Sequence, residues 1–313
     1  MAHMDTTGRT TTAGQSLPSA GGETPAWYAA HPGVQPYDPG QAERLLRSTP
    51  PAAACSDLFR AARVLLHDGH PLRVAVGCDD LLSRAGTSAW SAAFRALRSE
   101  ALLHLGDLEA AEHQATAARD TAGHHLATLG PWCTALLAES LIEQGRHEEA
   151  AAHLGGPSAG NSLCGLPALR ARGRLLLALH RPHDALAAFT RAARTARRHG
   201  TGLLPHLPWR SDIAEALLQL GRTDRAHALL TEELSSLAAG PRERGVALRL
   251  LSATEEPGQR LPTLSRAATE LRRSDDRVEL ARVLRDFAHT LDTLGELSTA
   301  DVFRRRAAGL SAA

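Results

Sequence analysis

Several stretches of this sequence place chemically capable residues at suggestive spacings. Gly155 and Gly160, followed by Asn161 and Ser162, match the phosphate-cradling pattern G-x-x-x-x-G-K-S except that Asn stands where the pattern has Lys. That chemistry needs a strand ahead of the loop and a Lys reaching the β- and γ-phosphates. Here the preceding EEAAAHL has helical spacing, and the chain contains no Lys, so that all 35 basic residues are Arg. Nucleotide binding at this loop and Schiff-base catalysis are therefore not expected. His124 with His125, His147 with His153, and His180 with His183 are the close histidine sets. A metal site needs ligands converging on one face with their outer nitrogens held, and these pairs flank turns or helix ends, so solvated surface histidines are expected. The acid pairs Asp79–Asp80, Glu148–Glu149, Glu232–Glu233 and Asp275–Asp276 are adjacent in sequence. Neighbouring side chains on a helix point about 100° apart, which favours solvated faces over acid/base couples. No nucleophile elbow or Cys–His grouping is found. No enzyme activity, cofactor or metal is expected.

The elements that carry these residues repeat. In HLPWRSDIAEALLQLGRTDRAHALL (206–230), Ile213, Ala214, Leu217 and Leu218 recur at helical spacing, and the pattern restarts after Gly221 with Ala226, Leu229 and Leu230. This predicts two amphipathic helices joined by a tight turn, with Gly at the helix C-terminus. Related turns are predicted at Gly69, Gly106, Gly145, His180, Gly258 and Gly295, at intervals of 35 to 41 residues. Such a period predicts an all-α, TPR-like helix-pair solenoid, a right-handed superhelix of about seven pairs. Residues 1–40, rich in Thr, Gly, Pro and Ser and opening on MAHM, are expected to be a flexible leader with a cloning remnant; 41–313 are expected to form the solenoid. The break at 155–165 is read as an inter-repeat loop.

Composition agrees. Apolar content is 43% but aromatics only 4%, so Ala and Leu must do the packing. With Ile only at Ile142 and Ile213, a large sheet is not expected. A net charge of +1 gives no strong attraction to nucleic acid or anionic lipid. No apolar run approaches the roughly 20 residues that span a bilayer. The four Cys (Cys55, Cys78, Cys133, Cys164) are scattered, as expected of reduced core thiols in a cytoplasmic protein. Arg304–Arg305–Arg306 suit the negative end of the last helix dipole.

In stacked pairs, the first helix of each unit lines the concave surface. Counting back six residues from each turn selects Arg63, Glu100, Glu139, Arg174, Glu215, Ser252 and His289; counting back ten adds Arg170, Ser211 and Arg285 among the polar positions. Two readings stay open. Arg63, Glu100, Glu139, Arg170, Arg174, Ser211, Glu215 and His289 line a groove for a ligand or partner, or the charged ones form inter-repeat salt bridges, each weak if exposed. Trp132 and Trp209, at the starts of successive first helices, are read as packing anchors.

WSAAFRALRSEALLHLGDLEAAEHQATAA (90–118), GPWCTALLAESLIEQGRHEEAAAHL (130–154), LPALRARGRLLLALHRPHDALAAF (166–189), HLPWRSDIAEALLQLGRTDRAHALLTEEL (206–234) and RVELARVLRDFAHTLDTLGELSTADVFRRRAAGL (277–310) together resemble the helical-repeat region of large ATP-binding LuxR-type (LAL) transcriptional regulators. LPWR (207–210) and ELAR (279–282) are the more specific marks. The resemblance implies a sensor region that receives an inducer or partner, between an ATPase module and a helix-turn-helix, neither of which this sequence contains. DNA would be reached only through such an absent module. The expected partner is a protein, a peptide or a small-molecule effector in the groove, with a homodimer possible and no membrane. The alternative is a stand-alone TPR adaptor for a peptide or protein.

Overall fold

The computed structural model describes residues 38–48, 55–85, 89–123, 126–155, 163–198, 208–235 and 240–311. Residues 1–37 of the expected leader, His124, His125, and Gly160 to Ser162 of the phosphate-loop look-alike lie outside them. The described residues form fifteen α-helices and one short 3₁₀ turn, with no strand among them.

After α1 (Pro39–Ser48) the helices run in seven pairs. They are α2 (Cys55–His67) with α3 (Pro71–Ala85), α4 (Ala89–Leu105) with α5 (Leu108–Thr121), and α6 (Leu126–Glu143) with α7 (His147–Leu154). Then come α8 (Leu166–Ala178) with α9 (Pro182–Arg198), α10 (Trp209–Gln219) with α11 (Thr223–Ser235), α12 (Pro241–Ser252) with α13 (Pro257–Arg273), and α14 (Arg277–Thr293) with α15 (Leu297–Ser311). Each helix packs on the next, which is the helix-pair array expected from the period.

Small residues set the close approach inside each pair. Ala111, Ala150, Ala185, Ala226 and Ala300, each five residues past its turn, are fully buried. Gly173 lies under the ring of Phe189; a Cβ there would come within 2.3 Å of it. Gly245 receives Leu271 in the same way, at 2.5 Å. Helices meeting through such residues can approach toward the short end of the usual ~8–10 Å interaxial range. The largest aromatic group joins the first three pairs. Phe59 of α2 meets Trp90 and Phe94 of α4, and meets Trp132 of α6 edge-on at 6.0 Å. Trp132 is thus the packing anchor its position suggested.

Six of the seven predicted turn positions take the left-handed backbone that ends a helix: Gly69, Gly106, Gly145, Gly221 and Gly295, with His180 at φ 55°. The turn at Gly221 is closed by the Arg222 N–H on the Leu217 carbonyl, 2.9 Å, and the Gly221 N–H on Leu218. The seventh differs. Gly258 is helical, inside the first turn of α13, and the bend falls four residues earlier at 253–256. Pro257, at home in the first turn of a helix, starts α13 rather than ending α12.

The array turns back on itself. The α2–α3 turn at Gly69 meets the α13–α14 turn so closely that a Cβ on Gly69 would stand 2.6 Å from the Ser274 Cα. Gly240, just ahead of α12, would carry a Cβ 2.4 Å from the His67 carbonyl oxygen of α2. Gly106 faces Arg277 and Leu310, and α4 packs against α14. The first two pairs therefore contact the last two.

Gly69 and Gly221 separate this closure from simple backbone strain. Both have positive φ, but around Gly221 a Cβ meets nothing within 4 Å. Gly221→Ala is expected to cost only the left-handed penalty, about 1 kcal/mol. Gly69→Ala adds overpacking against the opposing turn, and is expected to cost about 1–3 kcal/mol more. Urea unfolding of both variants measures the difference; equal losses would show that the turns do not touch.

Candidate functional site

The first helices face inward, and their charged residues meet there. Arg63 of α2 donates to Glu100 of α4 at 2.7 Å. Arg170 of α8 stands 3.7 Å from Glu139 of α6 and reaches Asp212 of α10 in a two-bond clasp, at 2.6 and 3.1 Å. Arg174, one helical turn along, donates to Glu143 at 3.2 Å. Glu215 of α10 receives Arg249 of α12 at 3.4 Å. Six of the eight candidate residues are thus brought into inter-repeat ion pairs, and two of them, Arg174 and Glu215, belong to one connected network through Glu143, Arg282, Glu279 and Arg249. Ser211 is buried beside it, and its backbone N–H donates to Glu233 of α11 at 3.0 Å. His289 sits on the exposed side of α14 and joins none of the described contacts.

The centre of the network is Glu279 of α14, 2% exposed. Arg282 donates to its Oε1 at 2.5 Å, the Arg249 Nε lies 3.4 Å from Oε2, and Arg242 stands at 4.0 Å. Burial raises the pKa of Glu279, but the Arg282, Arg249, Arg242 and Arg174 guanidinium groups outweigh it and hold the carboxyl well below the usual carboxylate range. Oε2 and the Arg249 Nε still lack hydrogen-bond partners, because the two are close without being aligned. Arg282 also donates to Glu143 of α6, 139 residues away in sequence, which ties the seventh pair to the third.

A second closure contact sits at the rim. His67 of α2 lies 3.6 Å from Glu243 of α12. Burial opposes ionisation of Glu243, but His67 and Arg242 bring its pKa down to about 2. Between the two contacts is His104 of α4, held neutral by burial and by the nearby Arg242 and Arg63.

Asp276 and Glu233 were expected on solvated faces. Both are buried while their neighbours Asp275 and Glu232 are exposed: Glu233 lies about 100° round α11 from Glu232, and Asp275 sits in a left-handed turn just ahead of the cap. Asp276 caps α14 by accepting the Glu279 N–H at 2.8 Å, and receives Arg242 at 2.6 Å. Glu143, Asp212, Arg242, Arg249, Glu279 and Arg282 escaped the sequence rows. Between α6 and α8 the pairing is offset by about one turn, so Glu139 meets Arg170, and Arg174 meets Glu143. Reading Gly258 as a turn moved the sixth row past Arg249. The one signal pointing to Glu279 and Arg282 was the ELAR segment. Trp209, like Trp132, is buried and forms no part of this wall; its ring lies between Arg197 and Arg210. Among the described residues no group of three or more His, Cys, Asp or Glu could hold a metal ion. All four Cys are free; burial pushes the Cys78 and Cys133 thiols up to about 12.

No family model matches the chain, and no curated protein matches it. Solved structures do. A Rap protein complexed with competence and sporulation factor superposes with a TM-score of 0.64 at 14% identity, over 84% of this chain and 76% of that one. The Rap conjugation gene regulator of plasmid pLS20, in complex with the Phr* peptide, gives 0.67 at 13% identity, over 90% and 78%. At such identities the likeness is one of fold: helical repeats of the TPR type. No described helix is long and apolar enough to cross a membrane.

Glu233 makes the pH dependence testable. Burial, with Asp212 beside it, raises its pKa to about 7 from the usual 4.5. A carboxyl raised on folding stabilises fully below about pH 4.5, and that contribution is lost as the pH climbs through about 7. Between about pH 5 and about pH 8 the protein is expected to lose on the order of 2 kcal/mol through this group. Glu233→Gln, which keeps an acceptor for the Ser211 N–H, should flatten that slope in urea unfolding. An unchanged slope would place the titration elsewhere.

Proposed function

We propose that the chain is a peptide- or protein-binding adaptor, and that its inner wall receives an extended peptide carrying a basic side chain. The observation that carries this reading is the charge of that wall. Its carboxylates, from Glu100 through Glu139, Glu143, Asp212, Glu215, Glu279 and Asp286, outnumber the Arg side chains they meet. A buried wall with surplus negative charge favours a cationic guest, since an Arg or Lys would complete pairs that the protein leaves partial. The fold supports the same reading, because of two solved structures that share it one is in complex with the Phr* peptide and the other with competence and sporulation factor.

In the closed form the wall's groups are paired with one another, so an incoming peptide competes with Arg282 for Glu143 and with Arg249 for Glu279. Binding is then coupled to loosening of the closure. A guest shifts that equilibrium only by its differential affinity for the two forms. The loosened or repacked array presents a changed outer surface to a second protein.

Of the two readings the sequence left open, the stand-alone adaptor is the one these observations favour. The LuxR-type reading, in which the array relays an effector to ATPase and DNA-binding modules, draws no support from the structures that share the fold. The charged inner wall also suits a binding role.

Selection from a displayed library of short random peptides is the test. The account expects enrichment of sequences containing Arg or Lys. Affinity, measured by calorimetry, should fall at least tenfold, about 1.4 kcal/mol, in Glu139→Ala or Glu143→Gln with helical content unchanged. Arg174→Ala, which removes a competitor for Glu143, should strengthen binding instead. No enriched peptide, or equal binding by all variants, would remove the inner wall from consideration.

A further inference from the structure

The seam where the array returns on itself joins two helix ends. α2 reaches it with its C-terminus, at His67, and α12 with its first turn, at Glu243. The backbones touch there, since a Cβ on Gly240 would stand 2.4 Å from the His67 carbonyl oxygen. The same Cβ would lie 2.7 Å from the Glu243 Oε2 and 3.3 Å from the His67 Cε1. The missing side chain is what lets the imidazole and the carboxylate share this space. The His67 Nδ1 lies 3.6 Å from the Glu243 Oε1. A cation at the end of α2 and an anion at the start of α12 also suit the dipoles of their own helices.

Glu243 brings a buried charge to this seam. It is 9% exposed, and its Oε2 accepts no hydrogen bond. Burial opposes its ionisation, but His67 and Arg242 hold its pKa down at about 2. The neighbouring charges are met by other groups. Arg242 is turned to Asp276 at 2.6 Å, with Glu279 at 4.0 Å, and acts on Glu243 from further off. Arg244 lies 3.9 Å from Glu270 of α13. On α2, Arg63 donates to Glu100 of α4, and in the turn that follows Asp68 lies 3.2 Å from His70. From α4, His104 is held neutral by burial and by Arg242 and Arg63. His67 is thus the group that answers Glu243 across the seam.

We propose that His67 and Glu243 form a proton-operated latch, which holds the array closed when the His67 imidazole is protonated and loosens it when the imidazole is neutral. In the closed form an imidazolium stands against a buried carboxylate, whereas in the open form water solvates both. The closed form therefore binds the proton more tightly. Closure is strongest below the ordinary imidazole range, about pH 6.5, and weakens as the pH rises through it. A neutral His67 leaves the Glu243 charge buried without its closest counter-charge, which costs more than the same carboxylate in water. His104 works in the opposite sense. Its protonation, well below that range, would add a cation beside Arg63 and Arg242 and loosen the seam again. The latch governs access to the inner wall whatever that wall binds, so it goes beyond the peptide reading and does not rest on it.

Hydrogen exchange of the full chain, followed by mass spectrometry at about pH 6 and about pH 8.5 and corrected for the intrinsic rate at each pH, tests the latch. Glu233→Gln is the background throughout, which removes the other titration expected in this range. Protection of the segments around His67 and Gly240 is expected to fall about tenfold at the higher pH, while α9, away from the seam, keeps its protection. His67→Gln should be weakly protected at the seam at both pH values. His67→Arg, a cation at either pH, should stay protected at both, which covers the case in which His67→Gln disturbs folding. Glu243→Gln should abolish the pH dependence as well. Equal seam protection at both pH values with His67 present would overturn the proposal. So would a fall that persists in His67→Gln, His67→Arg or Glu243→Gln, or one that α9 shares equally.

Discussion

A carboxylate buried among guanidinium groups is the constraint around which this molecule is arranged. Glu279 is almost fully buried and meets Arg282, Arg249 and Arg242. Removing such charges from water is expensive, and only close, well-bonded partners offset the loss. Those partners come from α12 and α14, and Arg282 extends the network to α6. Arg282, shared between Glu279 and Glu143, thereby couples this buried cluster to the return of the seventh pair onto the third.

Ion pairs hold a surface differently from apolar side chains. A Leu-lined inner wall would be more stable closed and would gain nothing from opening. A charged wall recovers solvation when it opens, so the two forms can lie closer in free energy. Partial satisfaction sharpens this, since the Glu279 Oε2 and Arg249 Nε remain without hydrogen bonds in the closed form. The wall is thereby suited to exchanging internal partners for those of a guest, and its surplus of carboxylates sets the sign of that guest.

The fold was legible because it is local. A helix pair announces its turn by a residue that tolerates the left-handed region, and six of seven such positions were read correctly, His180 among them. The failure at Gly258 came from Pro257, whose preference for a helix start outweighs the turn-like look of Pro-Gly. The inner face was legible in part: Arg63 and Glu100 fell in one row and do pair. The offset by which α6 and α8 pair Glu139 with Arg170 was not, because the axial shift between one first helix and the next leaves no mark in a row counted from the turns. The return of the array left no periodic trace. A contact between Glu143 and Arg282 is a property of accumulated superhelical rotation, which no window of sequence contains.

That contact is also where the account is most directly exposed to experiment. Glu143→Gln and Arg282→Gln, made singly and together, form a double-mutant cycle between residues 139 positions apart. Measured by denaturant unfolding, the cycle is predicted to show a coupling of about 0.5–3 kcal/mol, as expected of residues in one buried network. Strict additivity would mean that the seventh pair does not reach the third, and that the inner wall stands open.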